Sequence, residues 1–298
     1  MQNLLVLIMS GRWRATLMVA LSAVIALLFL PLSSPFSYIG GAIVVLVTLR
    51  HGAEALTVIL GASALLALVG YLLFGQVVAI LMTGLSLWIP VYILARVLRA
   101  SVSLGLTVLV TSLIALAGLL VSYALMDNPA AWWEQRLLPL WEQGQFGDPA
   151  LLKQISLYMM GLMLTAWQGG LLLCVLLGRW WQSRLYNPGG FQQEFYQLRL
   201  NQWSSWLVFA LFAAAAWLDE SWTHLVDQAL IIMVVPYLLL GLSIIHALIA
   251  KMKLRRGWLV GVYVLSFILP MQFTMLVMLL ALTDAWIDYR ERVPSASA

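Results

Sequence analysis

The chain has 298 residues, of which 63% are hydrophobic and only 9% are charged, and its mean hydropathy is +0.97. This composition excludes a water-soluble globular protein and indicates a membrane protein that crosses the bilayer several times. The net charge of +4 does not indicate nucleic-acid binding. The basic residues stand in small clusters at the ends of apolar stretches, which is typical of orientation signals and of contacts with anionic lipids.

Eight apolar stretches have about the length of a membrane span, for which a helix needs roughly 20 residues. They are residues 15–31, 37–50, 53–74, 77–96, 102–126, 154–179, 203–219 and 225–250. None shows the alternation of apolar and polar residues that is typical of a barrel strand. In lipid, only helices satisfy the hydrogen bonds of every backbone group in such runs. We therefore predict an all-α, polytopic transmembrane helical bundle with eight or nine spans.

Charge alternates from one gap between these stretches to the next. One set of gaps holds twelve basic groups, Arg12, Arg14, Arg50, Arg96, Arg99, Arg179, Arg184, Arg199, Lys251, Lys253, Arg255 and Arg256. The opposite set holds the acidic groups Asp127, Glu134, Glu142, Asp148, Asp219, Glu220 and Asp227. Because cationic loops remain in the cytoplasm, this pattern predicts a cytoplasmic N-terminus and external acidic gaps.

The last apolar stretch, residues 258–286, has an ambiguous length. As one helix it would extend about 43 Å, which is long for one span and short for two. Pro270 interrupts it near the middle, so we predict a single kinked helix with an external C-terminus. The alternative is a tight hairpin with a cytoplasmic C-terminus, which Arg290 and Arg292 favour.

Three segments have the composition of helices that lie along the membrane surface. Residues 2–10 are predicted to form a small helix of this kind on the cytoplasmic face. The external connection 127–153 combines charged residues with Trp132, Trp133 and Trp141, which predicts an interfacial helix, or alternatively a lid over an outward-facing cavity. The third segment follows the sixth span.

This third segment, within residues 180–202, begins with a predicted turn. Its residue types, from Asn187 to Gly190, favour a chain reversal, and Phe191, Phe195 and Leu198 then recur at helical spacing. The segment is predicted either to pack at the membrane surface or to dock a cytosolic or membrane partner. The candidate docking residues are Asn187, Pro188, Gly189, Gly190, Phe191, Glu194, Phe195 and Arg199.

The sequence contains no recognisable catalytic motif. It contains no nucleophile and base at a recognisable spacing, no phosphate-binding glycine loop with Lys, and no pair of His residues at metal-binding spacing. We therefore predict no enzymatic activity, no cofactor and no metal site. Cys174 lies inside an apolar stretch and is predicted to be a buried, inert thiol.

Polar residues within apolar stretches are energetically costly and are therefore candidates for function. Gln168 lies beside Trp167 in the sixth stretch, and Gln272 lies in the last stretch, just after Pro270. Trp167, Gln168 and Gln272 are our candidate ligand-binding residues, because carriers hold ligands at mid-membrane polar groups beside broken helices. The alternative is a hydrogen bond that joins two helices.

Two further patterns predict local contacts. Glu54 follows Arg50 by four residues and is expected to form an ion pair with it. Small residues recur every four positions at Gly161, Thr165 and Gly169, and again at Ala53, Thr57 and Gly61. Such faces allow two helices to approach closely.

Two segments give the sequence a family resemblance. The first contains Arg179, Trp180, Trp181, Asn187, Pro188, Gly189, Gly190, Phe191, Glu194, Phe195, Leu198, Arg199 and Leu200. The second contains Leu282, Asp284, Trp286, Asp288, Tyr289 and Arg290. The chain thereby resembles, over about residues 15–292, the YybS-like family of uncharacterised bacterial membrane proteins, although Tyr289 and either Ala281 or Leu282 stand where that family commonly has Phe and Gly.

The resemblance implies one integral membrane domain over residues 1–290. Within it, residues 15–179 would resemble the six-span substrate-binding components of energy-coupling-factor transporters. Residues 180–202 would form a cytoplasmic amphipathic loop, residues 203–290 additional spans, and residues 291–298 a flexible tail.

Two functional hypotheses follow, both placing the protein in the bacterial inner membrane. The first is a transporter-like component that binds a small molecule, has no ATPase of its own, and works with other membrane subunits. The alternative is a non-transporting envelope scaffold or assembly factor that acts through residues 187–200. The expected partners are the lipid bilayer and, in either case, another membrane subunit or a cytosolic protein, but no nucleic acid.

Overall fold

The computed structural model describes residues 2–29, 33–144, 147–255 and 257–293, and this part of the chain contains helices but no strand. The predicted all-α class is therefore confirmed. Helices are the expected outcome, because each apolar run satisfies its backbone hydrogen bonds internally. The predicted end of the first span at residue 31, Arg256 and residues 294–298 of the predicted tail lie outside the described residues.

The helices follow one another with short connections. In chain order they are α1 (Gln2–Met9), α2 (Arg12–Leu28), α3 (Ser33–His51), α4 (Ala55–Phe74), α5 (Val77–Ser101), α6 (Leu104–Leu125), α7 (Pro129–Gln143), α8 (Pro149–Tyr186), α9 (Gly190–Tyr196), α10 (Gln202–Trp217), α11 (Glu220–Lys251), α12 (Gly257–Ile268), α13 (Pro270–Ile287) and α14 (Tyr289–Arg292). A short 3-10 turn, Gly52–Glu54, separates α3 from α4.

By length and composition, the described residues contain six candidate membrane spans. These are Ser33–Phe74, Val77–Ser101, Leu104–Leu125, Pro149–Tyr186, Trp222–Lys251 and Pro270–Ile287. A seventh is added if α1 and α2, which are bent by 117° relative to each other, count as one span. The prediction of eight or nine is larger because it includes α10, which has only 16 residues, and counts α3 and α4 separately.

The chain divides into two compact units. Unit 1 comprises residues Met1–Thr107 and Gly169–Phe195, and unit 2 comprises Val108–Gln168 and Tyr196–Ala298. In this division the region 108–168 is grouped with the C-terminal helices. The six-span part over residues 15–179 stays a prediction.

Unit 1 is built around α3, whose residues from Gly40 to Leu49 are buried. Glycines allow α8 to approach this helix closely. A Cβ atom added to Gly41 would lie 2.6 Å from Sγ of Cys174, and one added to Gly178 would lie 2.7 Å from Cβ of Val45. Cys174 is a free thiol with no solvent exposure, as predicted from its position in an apolar stretch.

Unit 2 has an apolar core between α6 and α11, formed by Ala115, Leu119, Ala229 and Ile232. Further along α11, Gly241 lies against α13, where an added Cβ would be 2.4 Å from the carbonyl oxygen of Val277. These two contacts place α6 and α13 along α11 in the same unit.

The segment from α12 to α14 folds as a hairpin, so the predicted single kinked helix is wrong. In α12, Tyr263 contacts His246 of α11, with ring centroids 5.9 Å apart. The chain then turns back, because Val277 of α13 packs on Gly241 and the Lys251 ammonium donates a hydrogen bond of 2.6 Å to the carbonyl of Arg290. A continuous helix would instead carry Arg290 far away from the end of α11.

Pro270 and the length of α12 explain this hairpin. Pro270 is the first residue of α13, a position that needs no backbone N–H donor. With 12 residues, α12 is about 18 Å long and too short to cross a bilayer core of about 30 Å. The C-terminal segment lies at the same end of unit 2 as the last turn of α11, because Lys251 is bonded to the carbonyl of Arg290.

The predicted surface helices are present as helices. Residues Gln2–Met9 form α1, which is bent sharply from α2, and the tryptophan-rich connection forms α7. The side chain of Asn128 begins α7 by accepting a hydrogen bond of 3.0 Å from the backbone N–H of Ala131. This is an ordinary N-cap, which satisfies a free donor of the first turn.

The predicted ion pair between Glu54 and Arg50 does not form. Glu54 instead pairs with Arg12, at 2.5 Å between the carboxylate and the guanidinium. Arg50 lies over the ring of Tyr186, 4.8 Å from its centroid. The 3-10 turn after α3 explains the difference, because the regular four-residue spacing of a helix is interrupted between Arg50 and Glu54.

Candidate ligand-binding cavity

Unit 1 contains a cavity of about 370 Å³ between α2, α3, α4 and α5. It lies towards the end of the unit where α2 ends and α3 begins. Cavities that hold small molecules typically have about 300–1,000 Å³, so this one is large enough for a metabolite. By the charge pattern of the sequence, this end is the one predicted to face the exterior.

Hydroxyl groups are the main polar feature of the cavity. The residues that contribute them are Ser22, Ser33, Ser34, Ser37, Tyr38 and Thr83. Two of these hydroxyls donate to their own helix: Ser22 to the carbonyl of Val19 at 2.8 Å and Thr83 to that of Ile80 at 2.7 Å. Their oxygens therefore keep lone pairs that accept hydrogen bonds from a ligand.

Apolar groups form the remaining wall. They include Ala26, Leu66, Leu87 and Trp88, and none of the lining residues that the structure describes is charged. Trp88 is only 2% exposed, so packing holds its ring in place. The arrangement suits a neutral molecule with an apolar body and several hydrogen-bonding groups, because an uncompensated charge would be costly there.

Two glycines allow the helices that carry the cavity's hydroxyl groups to pack closely. A Cβ atom added to Gly40 would lie 2.4 Å from Oγ of Ser22, and one added to Gly170 would lie 2.7 Å from the ring of Tyr38. The absence of a side chain at these two positions lets α2 and α8 come close to α3. The same approach places the hydroxyls of Ser22 and Tyr38 beside the cavity.

The predicted ligand-binding residues lie elsewhere. Gln168 is fully buried, and its amide nitrogen donates a hydrogen bond of 2.9 Å to the hydroxyl of Ser112 on α6. Gln272 is exposed on α13, and Trp167 is half-buried. None of the three lines the 370 Å³ cavity, and the hydrogen bond seen at Gln168 joins two helices.

A polar residue that the sequence did not single out, Gln228, makes three hydrogen bonds inside unit 2. Its Oε1 accepts a bond of 2.8 Å from the backbone N–H of Gly161. Its Nε2 donates to the carbonyl of Leu157 at 2.8 Å and to the hydroxyl of Tyr123 at 2.7 Å. The amide of α11 thus bridges one turn of α8. In the sequence, Gln228 lies near the start of an apolar stretch and beside Asp227. This position is typical of a polar residue at the end of a membrane helix, so it did not indicate a buried, bonded amide.

The predicted docking segment begins with the expected turn. Gly189 has a φ of +88°, a backbone conformation that glycine adopts without strain. The hydroxyl of Ser183 closes the turn, since it donates to the carbonyl of Asn187 at 2.7 Å and accepts from the N–H of Phe191 at 3.0 Å. The helix predicted after the turn is α9, Gly190–Tyr196.

The charged residues of this segment have partners inside the protein. Glu194 binds the guanidinium of Arg179 through both carboxylate oxygens, one of them 2.8 Å from Nε. Beside it, the rings of Phe191 and Phe195 stack with centroids 6.2 Å apart. Both contacts stabilise α9 within unit 1.

Arg199, in unit 2, pairs with the C-terminal segment. Its guanidinium donates a hydrogen bond of 2.6 Å to the carboxylate of Asp288 and lies 3.9 Å from that of Glu291. The hydrogen bond from Arg199 holds the pKa of Asp288 below its ordinary value. The two segments that carry the sequence resemblance therefore meet at this ion pair.

Comparison with known proteins agrees with a membrane location. Residues 155–285 match the family model described as a predicted membrane protein, DUF2232. Curated proteins and solved structures gave no significant match. The matched region runs from α8 to α13 and includes Gln228 and Asp284. The chain is accordingly a predicted integral membrane protein whose C-terminal half is similar to this family.

Proposed function

We propose that the protein is a transporter-like component of the bacterial inner membrane, which binds a neutral small molecule and has no ATPase of its own. The observation that carries the proposal is the hydroxyl-lined cavity between α2 and α5. It combines a suitable volume, hydrogen-bonding groups from three helices, and an aromatic ring held in place by packing.

The chemistry of the wall restricts the ligand. Serine, threonine and tyrosine hydroxyls both donate and accept hydrogen bonds, so they suit amide, hydroxyl or ring-nitrogen groups. The apolar side of the cavity, with Trp88, suits an aliphatic or aromatic ring system. A carboxylate or an ammonium group would find no counter-charge among the described lining residues, and it would lose its hydration without compensation.

The predicted orientation of the helices indicates on which side of the membrane the cavity lies. The end of α2, the start of α3 and the connection from α4 to α5 are predicted to be external. A ligand would therefore be bound from the outside. The sequence has no phosphate-binding glycine loop, so release into the cell driven by ATP would need another subunit.

The alternative function, a scaffold that acts through residues 187–200, receives less support. Glu194 is bound to Arg179 and Arg199 to Asp288. Two of the charged groups that would contact a partner are therefore already engaged within the protein.

The experiment that tests the proposal is native mass spectrometry of the purified protein, combined with thermal-shift assays across a panel of neutral metabolites. Ala23→Phe would fill the cavity, which Ala23 lines. Leu60→Phe is the matched control, because Leu60 is 69% exposed on α4. We expect a bound molecule, or a thermal shift with at least one metabolite, in the wild type and in Leu60→Phe but not in Ala23→Phe.

Two results would contradict the proposal. One is a wild-type protein that carries no small molecule and shows no thermal shift with any neutral compound. The other is a ligand whose binding is unaffected by Ala23→Phe, which would place its site elsewhere.

A further inference from the structure

A second cavity, of about 320 Å³, lies at the opposite end of unit 1, where α3 and α5 end. It is lined by His51, Gly52, Ala53, Arg96, Arg99 and Ala100. Arg96 and Arg99 are one helical turn apart near the end of α5, so their guanidinium groups share one side of the helix. This cavity is separate from the hydroxyl-lined one and differs from it in charge.

The positive charge of this cavity is not neutralised. In the part of the chain that the structure describes, neither Arg96 nor Arg99 has an ion-pair partner. The hydrogen bonds of Arg96 and Arg99 go to neutral oxygens, the hydroxyl of Tyr92 and the carbonyl of Thr48, each at 3.2 Å. A guanidinium carries five N–H donors, so most of them remain available to a ligand.

Two acidic residues that flank the cavity-lining residues are engaged elsewhere. Glu54 follows the cavity-lining segment but pairs with Arg12. On its other side, Arg99 lines a smaller cavity of about 170 Å³, where Glu194 pairs with Arg179. The uncompensated positive charge at this cavity is therefore that of Arg96 and Arg99.

The backbone around Gly52 holds Arg99 in position. Gly52 has a φ of +64°, and a Cβ atom added to it would lie 2.6 Å from Nη1 of Arg99. The guanidinium can rest against the end of α3 only because this position has no side chain. Arg99 is thus positioned by Gly52 and by the carbonyl of Thr48 before any ligand binds.

We propose that Arg96 and Arg99 bind the phosphate group of an anionic phospholipid in this cavity. Arginine is suited to phosphate, because its planar fork donates two parallel hydrogen bonds to two phosphate oxygens. Basic pockets between the ends of membrane helices are typical binding sites for anionic head groups. This end of unit 1 is the one that the charge pattern predicts to be cytoplasmic.

Exposed apolar side chains beside the cavity favour a lipid over a free anion as the ligand. Ile89 and Ile93 are 46% and 44% exposed on α5. With Arg96 they recur at helical spacing, four and three residues apart, and so lie along one face of the helix. A lipid whose phosphate is bound at Arg96 would place an acyl chain along these two side chains.

The test compares retention of phosphatidylglycerol with that of phosphatidylcholine by native mass spectrometry of the full-length protein in detergent. The variant Arg96→Gln/Arg99→Gln removes the site. The matched control, Arg14→Gln/Arg184→Gln, removes the same charge from the same predicted side. We expect the wild type and the control to retain phosphatidylglycerol preferentially. The site variant should lose this preference by at least about tenfold, since two charged hydrogen-bonding groups are removed.

A second variant keeps the test decisive if the double variant does not fold. Arg96→Gln alone removes an exposed side chain whose described hydrogen bond stays within α5, and it should reduce the preference for phosphatidylglycerol. Equal retention in the site variant and the control would overturn the proposal. Stabilisation by inorganic phosphate without any preference for phosphatidylglycerol would also overturn it, because the site would then bind a free anion.

Discussion

Arg290 donates a hydrogen bond of 2.7 Å to the carboxylate of Asp284, and the two side chains are only 9% and 5% exposed. The same guanidinium donates to the carbonyls of Tyr196 and Leu198, at 3.1 and 2.7 Å. Arg290 therefore joins the end of the hairpin to the chain that leads into α10. The Arg290 guanidinium thereby supplies a donor to two backbone oxygens in addition to its ion pair with Asp284.

We expect Arg290→Met to be strongly destabilising. Removing one partner of a buried ion pair leaves the other charge uncompensated, which costs about 3–5 kcal/mol. The free energy of unfolding in mixed micelles measures this effect. Arg292→Met is the control, because Arg292 is exposed and should change stability by at most about 0.5 kcal/mol. Equal effects of the two substitutions would show that the buried pair contributes nothing.

The double variant Asp284→Asn/Arg290→Met should be less destabilised than the sum of its single variants. Each single substitution leaves a buried polar group without its partner, whereas the double variant removes both charges. A double-mutant cycle on the free energy of unfolding measures the coupling. Additive effects would mean that the two side chains act independently, despite the distance of 2.7 Å between them.

The hairpin predicts that the C-terminal segment is accessible from the same side as the end of α11. In a Cys174→Ala background, single cysteines at Lys253 and Glu291 should react with a membrane-impermeant maleimide from one side. A cysteine at Leu218, at the other end of α11, should react from the opposite side. A single kinked helix would instead give Glu291 the same reactivity as Leu218. Labelling of intact and inverted membrane vesicles distinguishes the two arrangements.

Two glycines of α8 should respond differently to alanine, although the sequence places both in the same small-residue pattern. A Cβ atom at Gly161 would lie 2.8 Å from Cβ of Gln228, whereas one at Gly169 would meet no atom within 4 Å. We expect Gly161→Ala to lower stability by about 1–3 kcal/mol through overpacking. Gly169→Ala should be neutral or stabilising by up to about 1 kcal/mol, because alanine favours helix. Thermal unfolding in detergent measures both, and a loss as large at Gly169 would contradict the packing described here.

The ion pair between Arg199 and Asp288 predicts a dependence on pH. The hydrogen bond from Arg199 lowers the pKa of Asp288 from an ordinary value of about 3.9. The stabilisation is therefore fully present above the pKa of the unfolded state and is lost as the pH falls through the lower pKa of the folded state. We expect the wild type to be more stable than Asp288→Asn above about pH 4, and this advantage to disappear at lower pH. Unfolding curves of both proteins between neutral pH and pH 3 provide the measurement. A difference that does not change with pH would exclude ionisation of Asp288 as its cause.

Features that depend on local sequence could be predicted. The all-α class follows from long apolar runs, and the helices α1, α7 and α9 follow from amphipathic spacing and turn residues. The burial of Cys174 follows from its position in an apolar stretch. Each of these features depends on neighbouring residues and on the cost of leaving backbone groups unpaired in an apolar environment.

Pairing between distant residues could not be predicted in this way. Glu54 pairs with Arg12, which is 42 residues away, and not with Arg50, four residues away. Gln228 binds a turn of α8 that lies 67 residues earlier in the chain, while Gln168 pairs with Ser112 and Gln272 is exposed. Spacing along one helix says nothing about which other helix lies against it, and the partner of a buried polar group is decided by that neighbour.

The sequence by itself determined that this is a helical membrane protein and approximately where most of its helices begin and end. Its charge pattern also predicts which side of the membrane is cytoplasmic. Both follow because composition and charge act locally and through the bilayer. Only the tertiary structure decided that α12 and α13 form a hairpin, that hydroxyls from α2, α3 and α5 line one cavity, and that Arg96 and Arg99 line another. Each of these features requires side chains from different helices to meet, and the packing of helices, including the close approaches allowed at Gly40, Gly52 and Gly161, determines which ones do.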